Sequence, residues 1–104
     1  MSFGVMGGSM QPQGHVQMMV RIFDYGQNPQ TACDAPRWYV DENFRIALEP
    51  GFAPQVVAEL KQRGHVLIDN PSPYLYGGAQ LIHCLENGYC AASDPRKDGQ
   101  AAGY

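Results

Sequence analysis

A chain of 104 residues that is 44% hydrophobic, 11% aromatic and 16% charged has enough apolar surface to offset the entropy of ordering, and room for one ordinary domain of ~100–150 residues rather than two. Seven Lys and Arg against ten Asp and Glu give a formal charge of -3 with no basic run, which excludes the electrostatic footprint of a nucleic-acid binder. No purely aliphatic run exceeds three residues, as in Met18-Met19-Val20, whereas a membrane-spanning helix takes about 20 apolar residues.

Residues 3–14 carry four glycines and a proline, so they read as a short strand followed by a tight backbone excursion. A helix follows, starting near Gln11–Gly14. Val16, Met19, Val20 and Phe23 fall at i, i+3, i+4 and i+7 on one face, Met18, Ile22 and Tyr25 make a second, and Gly26 is placed to end the helix in the left-handed conformation. A helix apolar on two faces requires cover on both. Asn28-Pro29 reads as an N-cap with proline at the first helical position, opening a short helix to about Asp34 that Pro36 stops.

Trp38–Val40 and Phe44–Leu48 read as two strands across an Asp41-Glu42-Asn43 turn. Pro54 opens a third helix with Val56, Val57 and Leu60 on one face, Glu59 and Arg63 paired at i, i+4 on another, and Gly64 at its end. His65–Ile68 reads as a strand and residues 70–73 as a loop. Ala79–Leu85 and Tyr89–Ala92 form a hairpin across Glu86-Asn87-Gly88, and residues 93–99 are turn chemistry. Helices alternating with hairpins predict an α+β layered domain, antiparallel strands covered by helices.

Gly7-Gly8 is the most informative local feature. Two successive residues without Cβ let backbone N–H groups approach a ligand closely, as an oxyanion hole requires, and a helix start nearby adds the positive end of its dipole. The plainer reading is a strand-to-helix turn that needs glycine for its dihedrals. Ser9 and His15 could be a nucleophile and its base, but no G-x-S-x-G surrounds Ser9 and no acid is placed to orient His15, whose simpler role is a ring hydrogen bond at a helix start. His83, Cys84 and Cys90 share one hairpin and offer zinc donors, yet neighbours in a strand point to opposite faces and no C-x-x-C is present. The three cysteines, Cys33 among them, therefore read as small buried hydrophobes. Their odd count favours a reducing, cytoplasmic compartment, and the first fifteen residues, without Lys, Arg or a long apolar stretch, carry no export signal, a periplasmic or secreted location requiring an upstream one. Asp94-Pro95-Arg96 reads as turn chemistry before ligand binding, and Arg37, beside a helix C-terminus, as a cation for orphan carbonyls.

Several stretches taken in order resemble one family. Gly7-Gly8 with Met10-Gln11-Pro12-Gln13-Gly14-His15, Asp24-Tyr25-Gly26, Asp34-Ala35-Pro36-Arg37-Trp38, Leu48-Glu49-Pro50-Gly51-Phe52, and Gly77-Gly78-Ala79-Gln80 with Ser93-Asp94-Pro95-Arg96 and Gly103-Tyr104 are similar to the γ-glutamyltransferases across nearly the whole chain. The resemblance implies part of an αββα N-terminal-nucleophile hydrolase sandwich, in which residues 1–104 are the C-terminal portion of the small subunit of a self-cleaving precursor. It implies acyl transfer from a γ-glutamyl or related small amide to water or an amino acid, with the oxyanion hole at Gly7 and Gly8, a substrate contact from Ser9, and no cofactor or metal. The nucleophile in such enzymes is an N-terminal threonine whose own amine is the base. Thr31, the only threonine here, matches a helix away from that position. The catalytic threonine is thus expected on an upstream segment, the partners are that segment and the large subunit, or a second copy, and the 104-residue chain alone is expected to be inactive. Val5-Met6-Gly7-Gly8-Ser9, where glutathione-cleaving members carry a Ser-Pro-Gly-Gly-Ser type stretch, leaves the amide substrate open. The competing expectation is a non-catalytic structural or binding module that pairs with another chain.

Overall fold

The computed structural model describes residues 1–104, which divide into two compact units: Met1–Ala35 with Gly77–Tyr104, and Pro36–Tyr76. No helix is long and apolar enough to cross a membrane.

The first unit is built on a three-stranded antiparallel sheet in the order β1 (Ser2–Met6), β4 (Gly78–Leu85), β5 (Gly88–Ser93). Phe3 pairs with Leu81, Val5 with Ala79, and Leu81 with Ala92. Residues opposite one another share a face, so Phe3, Val5, Ala79, Leu81 and Ala92 project together. Against them pack Met18 and Ile22 from the first helix, and Ala32 and Cys33 from the second, to form the core. The other face, with Gly4, Gln80, Ile82 and Ala91, carries no helix. A groove of about 460 Å³ runs between it and Gln100–Ala102.

Helix α1 spans Met10–Met19 and buries Met10, Gly14, Gln17 and Met18, a single face at i, i+4, i+7 and i+8. This corrects the expectation of cover on both faces: Val16 is 57% exposed and Phe23 59%, while Met18 and Ile22 of the second stripe enter the core. Gly14 decides the matter. A Cβ there would lie 2.6 Å from Val5 Cγ1, so only glycine lets the helix lie directly on β1, and hydropathy does not register that contact. A π-helical turn, Val20–Asp24, then carries Ile22 into the core before Gly26, at φ 64, ends the run.

Helix α2 spans Pro29–Asp34, with the Asn28 side chain accepting from the Thr31 N–H at 2.9 Å as expected of its cap. The Gln30 amide reaches β5, where its Oε1 accepts from the Ser93 N–H at 3.2 Å and its Nε2 donates to the Ser93 carbonyl at 2.9 Å. At the helix end Arg96 takes orphan carbonyls, its guanidinium donating to Cys33 O at 2.8 Å and Ala35 O at 3.0 Å.

The second unit holds a two-stranded hairpin, β2 (Trp38–Val40) and β3 (Ile46–Leu48), and helix α3 (Pro54–Gln62). The second strand begins two residues later than expected, because Asp41 gathers the loop: its carboxylate accepts from the Asn43 and Arg45 N–H groups, which turns Phe44 to φ 58. The Arg45 backbone N–H is the chief reason that the Asp41 carboxyl is held below the usual carboxylate range. Residues 65–68 do not form a full strand. They meet β3 at one parallel bridge, Ile46 to Leu67, with 2.8 Å bonds from Ile46 N to Val66 O and from Ile68 N to Ile46 O. Glu59 and Arg63 pair on α3 as expected (Nε to Oε1 3.1 Å). Arg37 lies buried in this unit, donating from its guanidinium to Tyr76 O at 3.0 Å, while its backbone N–H meets Glu49 Oε2 at 2.9 Å.

Candidate functional site

β1 ends at Met6 and α1 begins at Met10, which leaves Gly7, Gly8 and Ser9 to reverse the chain. Gly7 has φ 138 and Gly8 φ 58, conformations that an L side chain rarely adopts, so the plain requirement for glycine is real at both positions. Close approach adds to it at Gly7, where a Cβ would fall 3.0 Å from Met10 Cβ and 3.2 Å from Gly77 Cα. At Gly8 nothing lies within 4 Å of that position. Both glycines are exposed.

Their carbonyls are engaged and their amides are not drawn into the backbone. Met10 N donates to Gly7 O and Gln11 N to Gly8 O, each at 3.1 Å, while neither glycine N–H donates to a backbone carbonyl. A peptide unit is planar and trans, so its N–H points opposite to its C=O. The bond that holds Gly7 O against the start of α1 therefore aims the Gly8 N–H away from the helix. The turn thus presents that amide hydrogen outward beside a ten-residue helix whose dipole is positive at that end. Such an arrangement favours negative charge on an approaching oxygen.

Gly77 and Gly78 buttress the turn from β4. Gly77 sits at φ 69 with the position of its missing Cβ only 2.1 Å from Met6 O, and over Gly78 the Lys97 side chain lies flat, Cγ at 2.6 Å from the corresponding point. Sequence reasoning used this second Gly-Gly only as a motif. The doublet itself was the visible signal that two backbones meet here.

Ser9 occupies the N-cap of α1 at φ -64, ψ -16 without a side-chain capping bond, and it is exposed next to the glycines. His15 is drawn elsewhere: its Nε2 accepts from Val5 N at 3.0 Å and its ring meets Phe3 edge-on at 5.1 Å. With Nε2 already accepting, the ring is not poised as a base for Ser9, and the simpler reading of a ring bond holds. Thr31 is an interior residue of α2, its N–H bonded to Asn28, so it offers no free amine.

His83 and Cys90 pair across β4 and β5, and Cys84 pairs with Tyr89 one register step on, hence on the other face. All three cysteines are free thiols; only Cys33 is buried, while Cys84 is exposed and Cys90 half-buried, which departs from the reading of all three as buried. The structure brings no three potential metal ligands together.

Asp94 and Arg96 are structural, as their turn reading implies. The Asp94 carboxylate, 1% exposed, accepts from Ala79 N at 2.7 Å, Arg96 N at 2.9 Å and the Arg96 guanidinium at 3.1 Å. It locks the start of β4 to the end of β5, directly behind Gly77 and Gly78.

Comparisons with known proteins place the chain as a whole. The family model for gamma-glutamyltranspeptidase matches residues 1–104. The chain is 35% identical to a glutathione hydrolase-like YwrD proenzyme of Bacillus subtilis, with 97% of this chain and 21% of the relative covered. It is also 35% identical to the oxamate amidohydrolase proenzyme of Klebsiella pneumoniae, with 100% and 21% covered. It therefore spans about a fifth of the length of these curated relatives. Among solved structures, a cephalosporin acylase from Bacillus halodurans superposes with a TM-score of 0.90 at 40% identity over 98% of this chain and 19% of the other. A gamma-glutamyltranspeptidase from Pseudomonas nitroreducens gives 0.85 over 98% and 54%, its 24% identity speaking for the fold alone. The α+β architecture is accordingly part of an N-terminal-nucleophile hydrolase sandwich, one sheet with its helical layer. A family-model match that runs from the first residue to the last has one consequence: this chain belongs to the gamma-glutamyltranspeptidase family.

Proposed function

We propose that residues 1–104 form the C-terminal portion of the small subunit of a γ-glutamyltransferase-type amidohydrolase, and that they supply its oxyanion hole from Gly7 and Gly8. In the proposed reaction a nucleophile carried by another stretch of polypeptide, an N-terminal threonine in this reading, attacks the carbonyl of a γ-glutamyl or related small amide. The carbonyl π bond becomes a negatively charged oxygen, and the glycine N–H groups stabilise it while the amine leaves. Water or an amino acid then takes the acyl group. Ser9, exposed at the same turn, is proposed to contact the substrate. The relatives' names, a glutathione hydrolase-like protein, an oxamate amidohydrolase and a cephalosporin acylase, share amide cleavage and differ in the acyl group, which supports the reaction class more strongly than any one substrate.

The observation that carries the reading is the pair of exposed glycines whose carbonyls are tied to α1 and whose N–H groups donate to no backbone carbonyl, with the Gly8 N–H aimed away from the helix. The groove on the bare sheet face is lined by neither glycine. The remaining walls of the cleft then belong to the upstream segment and the large subunit, which are the proposed partners.

Proline at position 8 would delete the N–H but also demands φ near -65°, against the 58° of Gly8, and so would test two things at once. N-methylglycine removes the hydrogen and, having no Cβ and no ring, still permits the positive φ of Gly8. In a full-length parent assembled by ligation, N-methylglycine at position 8 is expected to lower kcat on a γ-glutamyl chromogenic amide by about 10²–10³-fold, the usual effect of losing one oxyanion donor. Unchanged turnover would remove the assignment. The 104-residue chain alone should release nothing.

A further inference from the structure

A side-chain hydrogen bond from Val5 N to His15 Nε2 ties α1 to β1, and we propose that His15 is a positioning residue for the Gly7–Gly8 amides. The inference rests on reading those amides as the oxyanion donors.

β1 pairs with β4 on one side only, so alternate N–H groups along its other margin have no ladder partner. Val5 is one of them. At 2% exposure its N–H has no route to water, and the His15 ring supplies the acceptor at 3.0 Å. Acceptance requires Nε2 without its proton, which places the ring hydrogen on Nδ1. The ring is further steadied by its edge-on contact with Phe3, two residues before Val5. Gly14, the residue before His15, brings the helix backbone down onto Val5 by lacking a Cβ. Val5 and His15 are thus the two ends of a closed loop that contains Gly7, Gly8 and Ser9.

Inside that loop the direction of the Gly8 N–H depends on α1, through the bond from Met10 N to Gly7 O, while the position of Gly7 depends on β1, through Met6. A shift of the helix against the strand therefore rotates the Gly7–Gly8 peptide. His15 fixes that relation by a directional bond, whereas the Gly14–Val5 contact fixes only the spacing. An oxyanion donor tolerates little misplacement, since a displacement of about 1 Å can cost on the order of 10²-fold. His15 contacts no reacting atom and acts through the Val5 backbone.

The test uses His15→Phe, which keeps a ring against Phe3 but has no acceptor, and His15→Gln, whose Oε1 can replace Nε2. In the 104-residue chain, residue-resolved amide exchange of Val5 should quicken at least tenfold in the Phe variant and stay within about threefold of the parent in the Gln variant. The Gly8 amide resonance should shift in the first and return in the second. In the full-length parent, kcat should fall ten- to hundredfold in the Phe variant with KM within about twofold, and the Gln variant should recover most of it. Unaltered Val5 exchange and an unmoved Gly8 resonance in His15→Phe overturn the proposal, as does an equal loss of kcat in both variants. If N-methylglycine at position 8 has no effect while the Val5 and Gly8 responses are as stated, the oxyanion reading fails and the tie itself stands.

Discussion

Replacing Gly14 by alanine sets two known effects against each other and should change sign with the residue beneath it. Alanine in a helix interior is favoured over glycine by about 1 kcal/mol. Against that, the new methyl would stand 2.6 Å from Val5 Cγ1 and 3.1 Å from its Cβ, and Val5, 2% exposed within the core, has nowhere to retreat. Overpacking of this kind costs roughly 1–3 kcal/mol. Gly14→Ala alone should thus destabilise by about 0–2 kcal/mol. Trimming Val5 to alanine removes Cγ1 and Cγ2, so in that background the same substitution should stabilise by up to about 1 kcal/mol. The coupling in the double-mutant cycle is then about 1–3 kcal/mol, read from urea unfolding of the four proteins. Equal effects of Gly14→Ala in both backgrounds would refute the close-approach argument and with it the account of the helix phase.

Gly77→Ala should be harsher, since a Cβ there meets the Met6 carbonyl oxygen at 2.1 Å from a backbone at φ 69; urea titration should show a loss above 3 kcal/mol or failure to fold, far more than Gly4→Ala, where the space is open. Asp94→Ala strands the buried Ala79 N–H and takes the carboxylate counter-charge from the Arg96 guanidinium, and should cost about 3–5 kcal/mol by chemical denaturation. Tyr76→Phe should be neutral or stabilising by up to about 1 kcal/mol, because the phenol is buried with no hydrogen-bond partner. Burial, and after it the Glu49 carboxylate, raise the Tyr76 phenol above its usual range, so ionisation favours the unfolded chain; stability should fall as pH climbs past the ordinary phenol value, and less so in Tyr76→Phe. Asp41 works with the opposite sign. Its depressed carboxyl adds stability above the ordinary carboxylate range that is lost as pH falls through the folded value, and the Phe44 and Arg45 amide resonances should report that loss in the parent chain and not in Asp41→Asn.

Where a sequence signal comes from the local backbone, it was legible. The Asn28 cap, the glycine at 26 and the hairpin around Glu86–Gly88 depend on residues within a turn or two of each other, and each lies where expected. The phase of the first helix was not legible from hydropathy, because Gln17 and Gly14 face the core while Val16 and Phe23 face outward, an inversion set by contact with a strand ten residues earlier and by a π-helical turn. The segment 65–68 has the composition of a strand, but one bridge to Ile46 is all the pairing that the unit offers it. Gly7 and Gly8 were visible as a doublet. The outward aim of the Gly8 amide was not, since it follows from which carbonyl α1 claims.

Gln30 has an outcome beyond its own two bonds. By answering both the amide and the carbonyl of Ser93, one side chain counterfeits a neighbouring strand at the far margin of the sheet. Pro95, just downstream, has no amide to offer. Along that border only Tyr89 and Ala91 are left to recruit a stranger. That margin is thereby kept from polymerising with a second copy of this chain.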